Sequence, residues 1–210
     1  MMERLTTLIR LLLGTVYLVN GVNWFFKIIT PYPSISDFID YMPPPDIVGA
    51  LIDQGILFHL AKAIEVVTGL ALLSNRFVPL GLVVSMTVTV PVFITDVFKP
   101  EWRLRAFLMG SGSLVMNVYL LLAYYDYYRS MLAFRSVASA DPATAHGAEG
   151  DVVADVVGYI VRPIMRVLGP LAAIMGVVMV AWLAVMIVQY ALHPQAIYEV
   201  RHLVPRGSIR

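Results

Sequence analysis

Apolar residues recur along this chain in long runs, five of which reach the roughly 20 residues that a helix needs to cross a bilayer. They lie at Leu5–Ile29, Ile47–Ser74, Phe77–Phe98, Leu104–Tyr125 and Leu168–Leu192. The connections between them differ in character. Residues 30–46 contain Pro31, Pro33 and the triplet Pro43-Pro44-Pro45, which cannot continue a helix; between them, residues 36–42 can form a short interfacial helix capped by Ser36. Residues 136–150 are small and polar and read as a flexible linker. Residues 151–168 alternate apolar positions with Arg162 and Arg166, the pattern of an interfacial helix leading into the fifth span. The expected fold is all-α and polytopic, a four-helix transmembrane bundle with a fifth C-terminal transmembrane helix. The expected division is a bundle at 1–130, a linker and interfacial helix at 131–167, and the fifth helix with its tail at 168–202. Residues 203–210 begin Leu-Val-Pro-Arg-Gly-Ser and read as an engineered protease-cleavage linker, which carries no functional argument.

Within the spans the polar positions are not scattered. At 100° per residue, Tyr17, Asn20, Asn23 and Lys27 fall on one face of the first helix, and His59, Lys62, Glu65 and Gly69 on one face of the second. The third helix aligns Ser85, Thr89 and Asp96; the fourth aligns Gly110, Ser113, Asn117, Tyr124 and Tyr128. Four helices with four such stripes are expected to turn them toward one another. The fifth breaks the pattern. It has no ionisable side chain from Leu171 to Val188, and its small residues Gly169, Ala172, Ala173 and Gly176 suit packing at the edge of the bundle.

Composition supports a bilayer as the solvent. Of the 210 residues, 59% are hydrophobic and 14% charged, and the mean hydropathy is +0.78. With no cysteine, the chain forms no disulfide and performs no dithiol chemistry, so a redox role needs a cofactor or a partner. A net charge of +1 without a long basic run gives no support to nucleic-acid binding. The N-terminal run carries Asn20, Asn23 and Lys27 rather than a small-residue cleavage motif, which favours a retained anchor over a secretory signal.

Lysines and arginines concentrate on the cytoplasmic side of membrane proteins. Placing the N-terminus in the cytoplasm puts Arg4, Arg10, Arg76, Arg129, Arg135, Arg162 and Arg166 there, against Lys27, Lys99, Arg103, Arg105 and Arg201 outside, a modest asymmetry. Trp24, Phe25, Phe26 and Trp102 then mark the outer interface, and Tyr124, Tyr125, Tyr127 and Tyr128 the inner one.

In that orientation Lys27, His59, Lys62 and Asp96 lie toward the outer ends of their helices, with Asn23 and Glu65 somewhat deeper. Two lysines facing two carboxylates make a nearly neutral set that partial burial tolerates. The candidate ligand-binding set is Asn20, Asn23, Lys27, His59, Lys62, Glu65, Asp96 and Asn117. Blander roles compete: Lys27 and Lys62 can snorkel to headgroups, Asp96 can be an ordinary interfacial residue, and Asn20, Asn23 and Asn117 can be interhelical hydrogen-bonding glue. Glu65 is harder to explain away, because it sits two turns inside its helix, where an unpaired charge costs a few kcal/mol. Pro91 and Pro79 are expected to kink the third helix for packing. His59 and His193 at similar depth are a weak haem signal with no accompanying motif, and no metal site or familiar catalytic motif is present.

Three segments, Arg10-LLLGTVYLVNGVNWFF26, Ala63-IEVVTGLALLSNRFVPLGL82 and Asn117-VYLLLAYYDYYR129, resemble the DoxX family of small bacterial membrane proteins over about residues 4–130. Its most specific parts are Gly21 with Asn23, Glu65-x-x-x-Gly69, the Asn75-Arg-Phe-x-Pro79 exit and the tyrosines closing the fourth helix. The resemblance implies a four-helix membrane bundle in the bacterial inner membrane. It further implies Asn23, Glu65, Gly69, Arg76 and Tyr124 as family positions, with members linked to thiosulfate:quinone oxidoreductase and to oxidative-stress complexes. Pro91 and Asp96 stand where relatives carry an Asn and a His, which removes that His from any chemistry here. The expected function is a membrane subunit of a quinone-linked oxidoreductase system, with quinone as the cofactor and a soluble or membrane redox protein as the partner. The alternatives are a non-catalytic scaffold that recruits a partner, and a small-solute or lipid transporter, which the lack of inverted repeats disfavours.

Overall fold

A computed structural model describes residues 2–26, 56–98, 104–128 and 152–192, the side chains of 105, 152–158, 189 and 190 excepted. Its helices are α1 (Met2–Phe26), α2 (Ile56–Ser74), α3 (Val78–Val97), α4 (Leu104–Ala123) and α5 (Val152–Leu192), with a 3-10 turn at Tyr125–Tyr127. All five helices are long and apolar enough to cross a membrane, and the chain is a multi-pass membrane protein. The interfacial helix expected at 36–42, the linker at 136–150, Lys27 and His193 lie outside the described residues.

Contacts run α1 to α2, α2 to α3, α3 to α4, and back through α4 to α1 to close a four-helix bundle, and α5 lies in the groove between α1 and α4. The end of the bundle that holds the start of α1 and the α2–α3 turn is called proximal below, and the opposite end distal. The α1–α2 seam is the most extensive, and glycines explain why. A Cβ on Gly69 would lie 2.7 Å from the Leu18 backbone nitrogen and 2.9 Å from the Gly14 carbonyl oxygen, so the two backbones touch where no side chain intervenes. Gly21 does the same one end further along, against the Lys62 carbonyl oxygen at 2.9 Å.

Between α2 and α3 the chain reverses in three residues. Asn75 takes the left-handed conformation at φ 57°, Arg76 N–H donates to Ala71 O at 3.0 Å and Asn75 N–H to Leu72 O at 3.4 Å, which satisfies the last carbonyls of α2. Asn tolerates that backbone; Phe77, also left-handed at φ 54°, does so at a steric cost, and Val78-Pro79 then starts α3. The helix continues through Pro91 to Val97.

The fifth span differs from the sequence expectation in extent. In place of an interfacial helix followed by a separate span, residues 152–192 form one continuous helix that carries Pro163 and Pro170. Its buried stripe is Val161, Met165, Ala172 and Met179, and Gly169 and Gly176 let it approach Leu5, Leu12 and Met116. Most of its remaining surface is exposed and apolar, as suits a lipid-facing helix.

Candidate functional site

Two layers of polar side chains occupy the bundle interior. The distal layer begins with Lys62 and Glu65, one turn apart on α2. Lys62 Nζ lies 2.8 Å from Glu65 Oε1 and 2.9 Å from Oε2, and Asn20 Nδ2 on α1 donates to Oε2 at 2.7 Å. Lys62 is 6% exposed and Glu65 4%. Removing both charges from water is costly, so the pair persists because its geometry saturates both carboxylate oxygens and because lysine and carboxylate sum to zero. Asn23, also buried, sits one turn beyond Asn20 on α1. An aromatic wall closes this side: Trp24 packs on Phe58 with ring centroids 4.5 Å apart, and Lys62 Nζ lies 5.6 Å from the Phe58 centroid, near enough for a cation–π contribution.

Beneath this layer, toward the proximal end, a neutral one joins three helices. Tyr17 OH and Thr89 Oγ1 are 2.6 Å apart, and Asn117 Nδ2 donates to Ser85 Oγ at 2.7 Å and to Tyr17 OH at 3.1 Å. Ser85 and Thr89 each spend their proton on a backbone carbonyl of α3, at Leu82 and Ser85. Their oxygens are therefore acceptors, which fixes the Asn117 amide nitrogen toward them. Asn117 Oδ1 is left without a donor among the described residues. Tyr17 and Asn20 are one turn apart on α1, so the two layers stack.

The sequence-derived set is thus partly assembled. Asn20, Lys62 and Glu65 meet, Asn23 is buried beside them, and Asn117 belongs to the second layer. The ion pair forms within α2 rather than between helices. His59 is exposed, its ring edge-on to Trp24 with centroids 5.9 Å apart and tilted against Phe25 at 6.0 Å. Asp96 is half-buried and packs its Cβ toward Gly110 of α4.

Arg10 departs furthest from its expectation. Counted among the cytoplasmic charges from sequence, it is 9% exposed in the bundle interior, and its Nε and Nη1 have no hydrogen-bond partner among the described residues. Tyr17, Ser85 and Thr89 are visible in the stripes but are not in the candidate set. The signal for Arg10 was its spacing of seven from Tyr17, which puts both on one helical face. At the proximal end Tyr128 OH donates to Pro79 O at 2.9 Å, tying the turn after α4 to the start of α3. Burial, with a smaller push from the neighbouring Tyr124, raises the Tyr128 phenol to about 12.

No curated protein and no solved structure matches the chain. A family model does: DoxX, over residues 5–96, from the first turn of α1 to the last turn of α3. The matched stretch holds Asn20, Asn23, Lys62, Glu65 and Gly69, the close α1–α2 seam and the turn at Asn75–Pro79, whereas α4 and α5 lie beyond it. Over residues 5–96, less than half of its length, the chain is thus similar to the DoxX family.

Proposed function

We propose that the bundle is the membrane subunit of a quinone-linked oxidoreductase system in the bacterial inner membrane, N-terminus in the cytoplasm, and that a quinone headgroup docks at the distal layer. The observation that carries this reading is the buried Asn20–Lys62–Glu65 cluster. A carboxylate 4% exposed, held by an ammonium and an amide, brings a proton acceptor and N–H donors to one spot inside the membrane span. Such a donor and acceptor set fits the two oxygens of a quinone, and the faces of Trp24 and Phe58 beside it suit an aromatic ring. A bound quinone supplies the two-electron chemistry that a chain without cysteine lacks. Lys62 and Asn20 would orient the headgroup oxygens, and Glu65 would take or give the proton at one of them. Tyr17, Thr89 and Asn117 form a hydroxyl and amide line on which a proton can continue toward the proximal end.

Organic extracts of the detergent-purified chain, analysed by mass spectrometry beside those of E65Q, test this. A quinone present in proportion to protein and lost in E65Q is the expected result. Equal, trace amounts in both would turn the cluster into a register lock between α1 and α2 and move the function to a scaffold for another protein.

A further inference from the structure

The proximal end of the bundle holds a cavity that neither polar layer uses. Its volume is about 740 Å³, and it is lined by the first two turns of α1, the end of α4 with the turn after it, and α5 from Tyr159 to Met165. Each of these segments is the end of a membrane span, since the apolar stretches cover Met2–Phe26, Ala106–Ala123 and Tyr159–Val188. The cavity therefore sits at one edge of the hydrocarbon core, at the level of lipid headgroups. Packing explains the gap. α5 reaches Leu5 and Tyr119 where it carries only the hydrogen of Gly169; one and two turns earlier it carries Met165 and Arg162, and the helices part.

The cavity wall carries charges of both signs. Glu3 and Asp126 are its carboxylates and Arg162 its guanidinium, and among the described residues neither acid forms an ion pair with that arginine. Tyr124, Tyr125 and Tyr159 add three aromatic rings. A ligand that is only anionic would meet two carboxylates, and one that is only cationic would leave the guanidinium without a counter-charge. A ligand with one charge of each sign answers both. Phosphate oxygens match the forked N–H donors of arginine. A primary ammonium has three N–H donors for the two carboxylates, and aromatic faces attract it.

We propose that this cavity binds the headgroup of an ammonium-bearing phospholipid, a phosphoethanolamine ester, with its phosphate on Arg162 and its ammonium between Glu3 and Asp126. The volume suits a group of that size. The level of the cavity at the span ends favours a lipid over a free zwitterion in water, because the headgroup is already held there. Ile160 and Ile164 begin an exposed apolar surface on α5 along which the acyl chains continue into the bilayer. The site lies at the opposite end of the bundle from Lys62 and Glu65 and stands whether or not a quinone binds there.

The test uses the full chain, delipidated in detergent, with bound ligand counted by native mass spectrometry. The probes are a short-chain phosphatidylethanolamine, the phosphatidylglycerol of the same chain length, and water-soluble glycerophosphoethanolamine. The wild type is expected to take one phosphatidylethanolamine several-fold more tightly than phosphatidylglycerol and to show no adduct with the soluble headgroup at the same concentration. Glu3, Asp126 and Arg162 are exposed, so their substitution leaves the packed core untouched. E3Q/D126N should lose the preference between the two lipids, and R162Q should bind phosphatidylethanolamine several-fold more weakly. R166Q, which removes an exposed α5 arginine outside the cavity wall, should change neither. Equal wild-type affinity for the two lipids overturns the proposal, as does a preference that survives in E3Q/D126N or full affinity in R162Q. A loss in R166Q as large as that in R162Q reduces the binding to general charge and overturns the site. Binding of the soluble headgroup as tightly as the lipid overturns the phospholipid as its occupant.

Discussion

The bundle buries a cation at each end and treats the two in opposite ways. At the distal end Lys62 finds Glu65 one turn away on its own helix, and Asn20 completes the carboxylate's shell. At the proximal end Arg10 has two nitrogens with no partner among the described residues, and no acid lies within one turn of it on α1. The difference separates two ways of placing charge in a membrane bundle. An i, i+3 pair is neutral before the helices associate, so α2 can enter the bilayer with its charges already matched. Arg10 has no such local remedy, and its compensation has to come from outside its helix.

Substitutions can break this contrast, and the largest effect is expected at the distal pair. K62M leaves a buried carboxylate alone and should lower stability by about 3–5 kcal/mol, whereas K62M/E65M, which removes both charges, should recover most of that loss. Unfolding in mixed detergent measures both; equal losses would show that the pair is not coupled. Next comes the seam that positions it. G69V forces side-chain atoms into the Leu18 backbone and should cost about 1–3 kcal/mol through overpacking, read as a lower melting temperature.

The neutral layer should respond more mildly. N117L removes the donor shared by Tyr17 and Ser85, and interhelical hydrogen bonds in membranes average about 0.6 kcal/mol, so a loss near 1 kcal/mol is expected in the same unfolding assay. The smallest effect belongs to Tyr128, whose bond to Pro79 is worth about 0.5–1.5 kcal/mol and is absent in Y128F. Its phenol titrates near 10 when unfolded and about 12 when folded, so the neutral, donating form favours the fold. That contribution is complete below pH 10 and is lost as pH rises through about 12; a pH series of melting temperatures should show the loss in the wild type and not in Y128F.

Hydropathy runs and helical spacing were enough for five spans and for the stripe on each of the first four, because an apolar run of about 20 residues crosses lipid as a helix, which satisfies its own backbone, and a helix has a fixed period. That Glu65 and Lys62 share a face was legible for the same reason, but the expectation set lysines against carboxylates across the bundle, whereas the two pair with each other three residues apart on α2. Spacing alone could not say whether Asn20 would reach that carboxylate or Asp96 the lysine, since this depends on how the helices pack, with Gly69 and Gly21 setting the α1–α2 register. Arg10 shows the same limit more sharply. Its face was readable from its interval to Tyr17, yet its depth was not, because α1 begins beyond the level of the Asn75–Phe77 turn and the other helices cover that arginine only when the bundle closes. Helix identity and facing are local properties of the chain; which polar groups meet, and which are left without a partner, was decided by how closely the backbones pack.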